Sequence, residues 1–172
     1  MGLDISDFRF QISDFRLKTE EDGKVKTARG VETHGEGGNG WRPSVRMFYC
    51  QCAGGGAALD FEPPEEFSAE MVPCTGKIHT QRLVKAFEGG ADGVCIIGCP
   101  PGECRMVEGS LRASRRAAFV HKLLDEIGVG GERIEVVLPQ SGPEALEEAV
   151  RSLLRSIVSL GPSALRLANA QV

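Results

Sequence analysis

The chain has no surplus of basic residues: 20 Lys and Arg stand against 24 Asp and Glu, a net charge of -4. A nucleic-acid surface needs a basic excess gathered on one face, so nucleic acid is not the expected partner. Nor is there any apolar run near the ~20 residues that cross a bilayer. The opening MGLDISDFRFQISDFR alternates charged with apolar residues where a secretory signal carries an unbroken hydrophobic segment. These absences predict a cytoplasmic protein with no membrane partner. Three kinds of chemistry are also missing. No Gly-Lys-Ser/Thr closes a phosphate loop, no C-x-x-C marks a thiol–disulfide enzyme, and no Ser/His/Asp or paired-carboxylate set is visible. Independent catalysis is therefore not expected.

What is present is enough for one domain. The 172 residues are 41% hydrophobic, which supports a single core and not two. Residues 1–44 differ in kind from the rest: ISDFR occurs twice, followed by the glycine-rich polar run TARGVETHGEGGNG. Such a segment buries little, and residues 1–44 are expected to be a disordered extension. The folded domain is expected over residues 45–162, with 163–172 as a C-terminal tail.

From Val45 onward strand-like and helix-like stretches alternate. VRMFYC, SAEMVPC, DGVCIIGC and RIEVVLP read as four strands, the third a continuous apolar run suited to burial on both faces. Leu83, Val84 and Phe87 share a helical face that stops at Gly89-Gly90. Val120, Leu123, Leu124 and Ile127 make a second stripe before Gly128. Leu146, Val150, Leu153, Leu154 and Ile157 make a third, entered through Ser141 and Pro143. The pattern predicts an α/β fold, a doubly wound parallel sheet of about four strands.

Right-handed crossovers place the strand C-termini on one edge, where open α/β sheets bind their ligands. Five of the six cysteines fall there: Cys50 and Cys52 after the first strand, Cys74 after the second, Cys99 and Cys104 after the third. Cys95 lies inside the third strand and reads as core. Disulfides are not expected in a reducing compartment, so the five are candidate metal ligands. Soft sulfur sets suit zinc or an iron–sulfur cluster. Dispersed spacing with C-x₄-C favours a [2Fe–2S] cluster, with zinc as the alternative.

The stretch MVPCTGKIHTQRLVKAFEGGADGVCIIGCPPGEC, followed by RASRRAAFVHKLLDEIGVGGERIEVV and SLGP, resembles the delta subunit of methyl-viologen-reducing hydrogenases. The resemblance implies a [2Fe–2S] electron relay between a hydrogenase, or another donor, and the flavin- and iron–sulfur-containing A-type subunit of heterodisulfide reductase. By position, Cys74 matches the cysteine of the family's CSG element, and Cys99 and Cys104 match those of its GCHxGDCH turn. Cys50 and Cys52 stand where the family shows C-x-x-C, and its turn histidines are replaced by Pro100 and Arg105. Gly109-Ser110 replaces the family's Gly-Asn as a helix N-cap. The rival reading is a zinc-stabilised adaptor joining subunits without carrying electrons.

Weaker signals are Gly54 and Gly56, a G-x-G whose third glycine position holds Leu59; His79, close after Cys74; His121 beside an apolar stripe; and Arg112, Arg115 and Arg116, a solvated face or a docking patch for an acidic partner.

Overall fold

The computed structural model describes residues 41–53, 62–100, 102–139 and 143–169. The expected N-terminal extension lies outside the described residues as far as position 40, and so do Gly54, Gly56, Leu59 and Ser141.

Four strands form one sheet: β1 (Val45–Cys50), β2 (Phe67–Val72), β3 (Gly93–Ile97) and β4 (Ile134–Val137). All neighbours pair in parallel, in the order β2-β1-β3-β4. Tyr49 lies opposite both Met71 and Ile97, so the first three strands end nearly level. Whatever follows each of them leaves the sheet at the same edge. The residues of β3 are all buried, and alternation sends them to different cores. Val94 and Ile96 join one, while Cys95 and Ile97 join the other.

Helices α1 (Thr80–Glu88) and α2 (Gly109–Glu126) cover the Val94–Ile96 face, and α3 (Pro143–Leu160) covers the opposite one. Leu83 and Phe87 anchor α1, one turn apart, and Leu146, Val150, Leu153 and Ile157 form the buried stripe of α3. Both follow the sequence periodicity. The stripe of α2 is shifted from the expected one. Its buried residues include Ala113, Ala117, Val120 and Leu124, whereas Ile127 is 55% exposed and lies beyond the last helical turn. Two alanines in the contact face bring this helix close to its neighbours, a packing that a search for large apolar residues overlooks.

The edge opposite the strand C-termini is held by polar groups. Asp92, fully buried before β3, accepts backbone N–H bonds from Ser44 at 2.9 Å and Ser163 at 2.8 Å, and pairs with Arg166. Arg133, buried before β4, donates to the carbonyls of Val129, Asp92, Leu160 and Gly161. Such groups are tolerated in a core because their hydrogen-bonding capacity is met. Their partners reach past both expected boundaries: Ser44 precedes Val45, and the stretch expected to be a tail forms a short helix, α4 (Ala164–Asn169). Six residues are too few to display a helical period in sequence. No helix among the described residues is long and apolar enough to cross a membrane.

Candidate metal centre

Cys50 is the last residue of β1, and Cys52 follows it in the turn. Cys74 lies two residues past β2, immediately before a 3-10 turn, Thr75–Lys77. Cys99 lies two residues past β3, and Cys104 stands in the loop leading to α2. Because β1, β2 and β3 end level, the five thiols line one cleft of about 270 Å³, with Arg105 and Met106 among the other lining residues. β1 and β3 are neighbours although β2 comes between them in sequence. The cleft thus sits where successive connections diverge, the usual ligand position of such sheets. Cys95 takes no part. It is fully buried, and burial, then the charge of Glu135, push its thiol pKa up, as expected of an inert core cysteine.

The sulfurs fall into pairs. The Cys99 thiol points at Cys50 Sγ, 3.6 Å away. Cys74 and Cys104 are in side-chain hydrogen-bond contact. Gly109 separates this second pair from the helix: a Cβ there would lie 2.6 Å from Cys74 Sγ and 2.8 Å from Cys104 Sγ. Cys52 is partly buried against the same core cluster and offers its backbone N–H to Cys50 Sγ at 3.5 Å. Among the described residues no three or more Cys, His, Asp or Glu side chains are gathered to hold a metal ion as they stand. The donor set nonetheless fits an iron–sulfur group, since soft sulfurs surround a cleft whose wall is cut back to glycine where two of them meet.

The environment of each sulfur differs. Burial, then the contact with Cys50, push the Cys99 thiol up to about 12. Cys74 is also raised, chiefly by burial, against a lowering bond from the Gly76 N–H. At Cys104 burial acts in the same direction but is outweighed by N–H donors from Ser110, Met106 and Gly109, and the pKa falls below the ordinary thiol value. The backbone explains this convergence. Val107 adopts φ 60° and is 85% exposed, a conformation that β-branched residues avoid. One left-handed residue turns the chain sharply between Cys104 and α2, with the Val107 N–H donating to the Cys104 carbonyl and the Glu108 N–H to that of Met106.

Two glycines escape a reading of the sequence. A Cβ on Gly76 would meet Gly109 Cα at 2.7 Å, so Gly76 must be glycine for the 3-10 turn to rest against the start of α2, while Gly109 leaves room for the two sulfurs. The sequence hint is Gly109 opening a helix directly after C-x₄-C. The expected cap role of Gly109-Ser110 is corrected: Glu108 is the N-cap residue, and the Ser110 hydroxyl donates to the Cys99 carbonyl at 2.8 Å. His79 is exposed and does not line the cleft. His121 lies 3.2 Å from the Asp125 carboxylate and packs against Gly131. Of the three arginines, Arg116 is fixed to the carbonyls of Gly76 and Ile78 at 2.7 and 2.8 Å, and Arg112 pairs with Glu108.

Residues 47–161 match the family described as methyl-viologen-reducing hydrogenase, delta subunit. The chain is similar to the vhu iron-sulfur subunit of the F420-non-reducing hydrogenase of Methanococcus maripaludis, 36% identical over 72% of this chain and 97% of that one. Its likeness to the iron-sulfur subunit of the F420-non-reducing hydrogenase of Archaeoglobus profundus is 34% over 71% of this chain and 93% of the relative. A third relative is the A-type subunit of the ferredoxin:CoB-CoM heterodisulfide reductase of Methanosarcina mazei. There the match is 26% identical and covers 70% of this chain but 16% of that much longer protein.

Proposed function

Since the chain belongs to the methyl-viologen-reducing hydrogenase delta subunit family, we propose that it is an iron–sulfur electron-transfer subunit, relaying electrons from a hydrogenase or another donor to the A-type subunit of a heterodisulfide-reductase-type complex. The observation that carries this reading is the convergence of five thiols on one sheet edge as two facing pairs and a fifth. Two pairs suit a group with two metal centres, whereas structural zinc takes four ligands around one. A [2Fe–2S] cluster bound there would supply one-electron transfer.

The chain's own residues hold and shield that group. Cys50, Cys74, Cys99 and Cys104 supply sulfur, with Cys52 as a fifth candidate. Gly76 and Gly109 leave the room, and Met106 and Arg105 line the outer wall. The reading is supported by the names of the relatives, which are iron-sulfur subunits of hydrogenases. The partner is supported by the similarity to part of a heterodisulfide reductase polypeptide, because a domain that recurs inside a longer chain is expected to work beside it as a separate one. Catalysis belongs to the partners, and this subunit works inside the cell under anaerobic conditions.

The test is anaerobic purification with iron, sulfide and zinc analysis, followed by mixing with the flavin-containing A-type partner. About two irons and two sulfides per chain are expected, with reduction of the partner's flavin only when the cluster is present. Stoichiometric zinc without charge-transfer absorbance, or flavin reduction that is equally fast without the cluster, overturns the relay and leaves the zinc-stabilised adaptor.

A further inference from the structure

Three of the segments that carry sulfur are tied to one helix, α2. Cys104 stands in the loop that opens it. The Ser110 hydroxyl donates to the Cys99 carbonyl at 2.8 Å, which fastens the chain leaving β3 to the first turn of the helix. The third tie comes from further along. Arg116 Nη1 donates to the carbonyls of Gly76 at 2.7 Å and Ile78 at 2.8 Å, both in the segment that follows Cys74. The 3-10 turn there makes two bonds of its own, from the Lys77 N–H to the Cys74 carbonyl and from the Ile78 N–H to that of Thr75, each 3.0 Å. The carbonyls of Gly76 and Ile78 lie outside those two bonds, and one guanidinium nitrogen takes both.

Steric contact and hydrogen bonding act differently on this turn. A Cβ on Gly76 would lie 2.7 Å from Gly109 Cα, so the turn already rests on the start of α2. That contact limits how near the turn can come. It does nothing to stop the turn from moving away. Arg116 supplies the pull, from a point two helical turns beyond Gly109, about 10 Å along the axis. Bonds from a charged donor are about twice as strong as neutral ones, and Arg116 is half-buried, so solvent competes only in part. We infer that Arg116 is a positioning residue for the proposed cluster: it clamps the Cys74 turn to α2 and so fixes Cys74 Sγ relative to Cys104 Sγ. The inference rests on the function proposed above and adds to it a residue that does not line the cleft. Its importance follows from the tolerance of metal–ligand distances, about 0.2 Å. A ligand-bearing turn free to shift by more than that spends part of its time out of reach.

The experiment compares wild type with Arg116→Met, which keeps an apolar stem and removes the donors, and with Arg116→Lys, which keeps charge and donors on a different stem. Each protein is loaded anaerobically and mixed with an excess of a strong iron chelator, and the rate of iron release is followed by absorbance. Arg116→Met should release iron about 10- to 100-fold faster than wild type, the usual consequence of removing a group that orients a metal ligand, and Arg116→Lys should fall between the two. Gly128→Ala, strained just past the end of α2, controls for stability alone. It should release iron like wild type even where its metal-free melting temperature is as low as that of Arg116→Met. In the metal-free chains, the Lys77 and Ile78 amides should exchange with deuterium faster in Arg116→Met than in wild type. Release at the wild-type rate from Arg116→Met, a lysine variant no slower than the methionine one, equally fast release from Gly128→Ala, or unchanged amide exchange overturns the inference and leaves the relay in place. Wild-type protein that takes up no iron overturns the proposed function, while the amide exchange still decides whether Arg116 holds the turn.

Discussion

Gly109→Ala would set a methyl carbon 2.6 Å from Cys74 Sγ and 2.8 Å from Cys104 Sγ. Uncrowded non-bonded heavy atoms rest at about 3.5–4.0 Å, so each sulfur has to retreat by about 1 Å. In the chain without its cluster that retreat is cheap, because a single χ1 rotation moves a thiol aside, and alanine gains about 1 kcal/mol over glycine as a helix former. Thermal stability of the metal-free protein is therefore expected to change by no more than about 1 kcal/mol. With a cluster in place the same retreat is not available, since metal–ligand distances tolerate only about 0.2 Å. Iron content should fall severalfold. Gly128→Ala is the control. Its φ of 73° makes any side chain strained, yet nothing lies within 4 Å, so it should cost about 1–2 kcal/mol and leave iron untouched. Iron and sulfide analysis beside thermal unfolding separates the two effects. A Gly109→Ala protein with full iron and an unchanged visible spectrum would show that the Cys74–Cys104 pair is not part of the site.

Cys99→Ser and Cys104→Ser should each lose the cluster while Cys95→Ala keeps it, read by iron content; loss in Cys95→Ala alone would mean that the strand assignment of that thiol misleads. Asp92→Ala leaves Arg166 and two backbone N–H groups without their buried acceptor, and should destabilise the fold by about 3–5 kcal/mol in chemical denaturation; a loss under about 1 kcal/mol would contradict the role given to the polar edge. Burial raises the Glu135 pKa above its unfolded value, so its contribution favours the fold at low pH and is lost as pH rises through the raised value. Glu135→Gln should accordingly be more stable than wild type at neutral pH, with the gap closing on acidification through the carboxylate range. A constant gap would assign the effect to packing.

Much of this architecture is legible locally. VRMFYC gives β1 residue for residue, and the run GVCII declares a strand covered on both faces, because burial leaves its mark as consecutive apolar residues. With the strands in place, convergence of Cys50, Cys52, Cys74, Cys99 and Cys104 follows from parallel topology alone. The features that stay hidden join distant parts of the chain. Asp92 meets Ser163 across 71 positions, and Gly76 faces Gly109 across the site; no periodicity encodes such meetings. The stripe of α2 is displaced from its expected position for a related reason. Ala113 and Ala117 carry too little apolar surface to stand out, although their smallness is what the packing uses. The arginines look like one basic patch in the sequence, and only the fold shows Arg116 turned inward to backbone carbonyls.

The hydrogen-bonded girdle of Asp92, Arg133 and Arg166 closes the sheet at the end remote from the thiols. It owes nothing to a metal. In domains whose metal is their core, folding and loading are one event; here the girdle and the two apolar cores on either side of the sheet give the chain a fold of its own, and folding is expected to come first. If the proposed cluster is this chain's cofactor, the folded chain would be a finished receptacle, with its sulfur-lined cleft in place, before the cluster reaches it. During that interval Cys52 and Cys104, the two partly accessible thiols, would be the ones open to oxidants, while Cys50, Cys74 and Cys99 are buried. On that reading the speed of cluster delivery, and not how well the polypeptide folds, would set the yield of working protein.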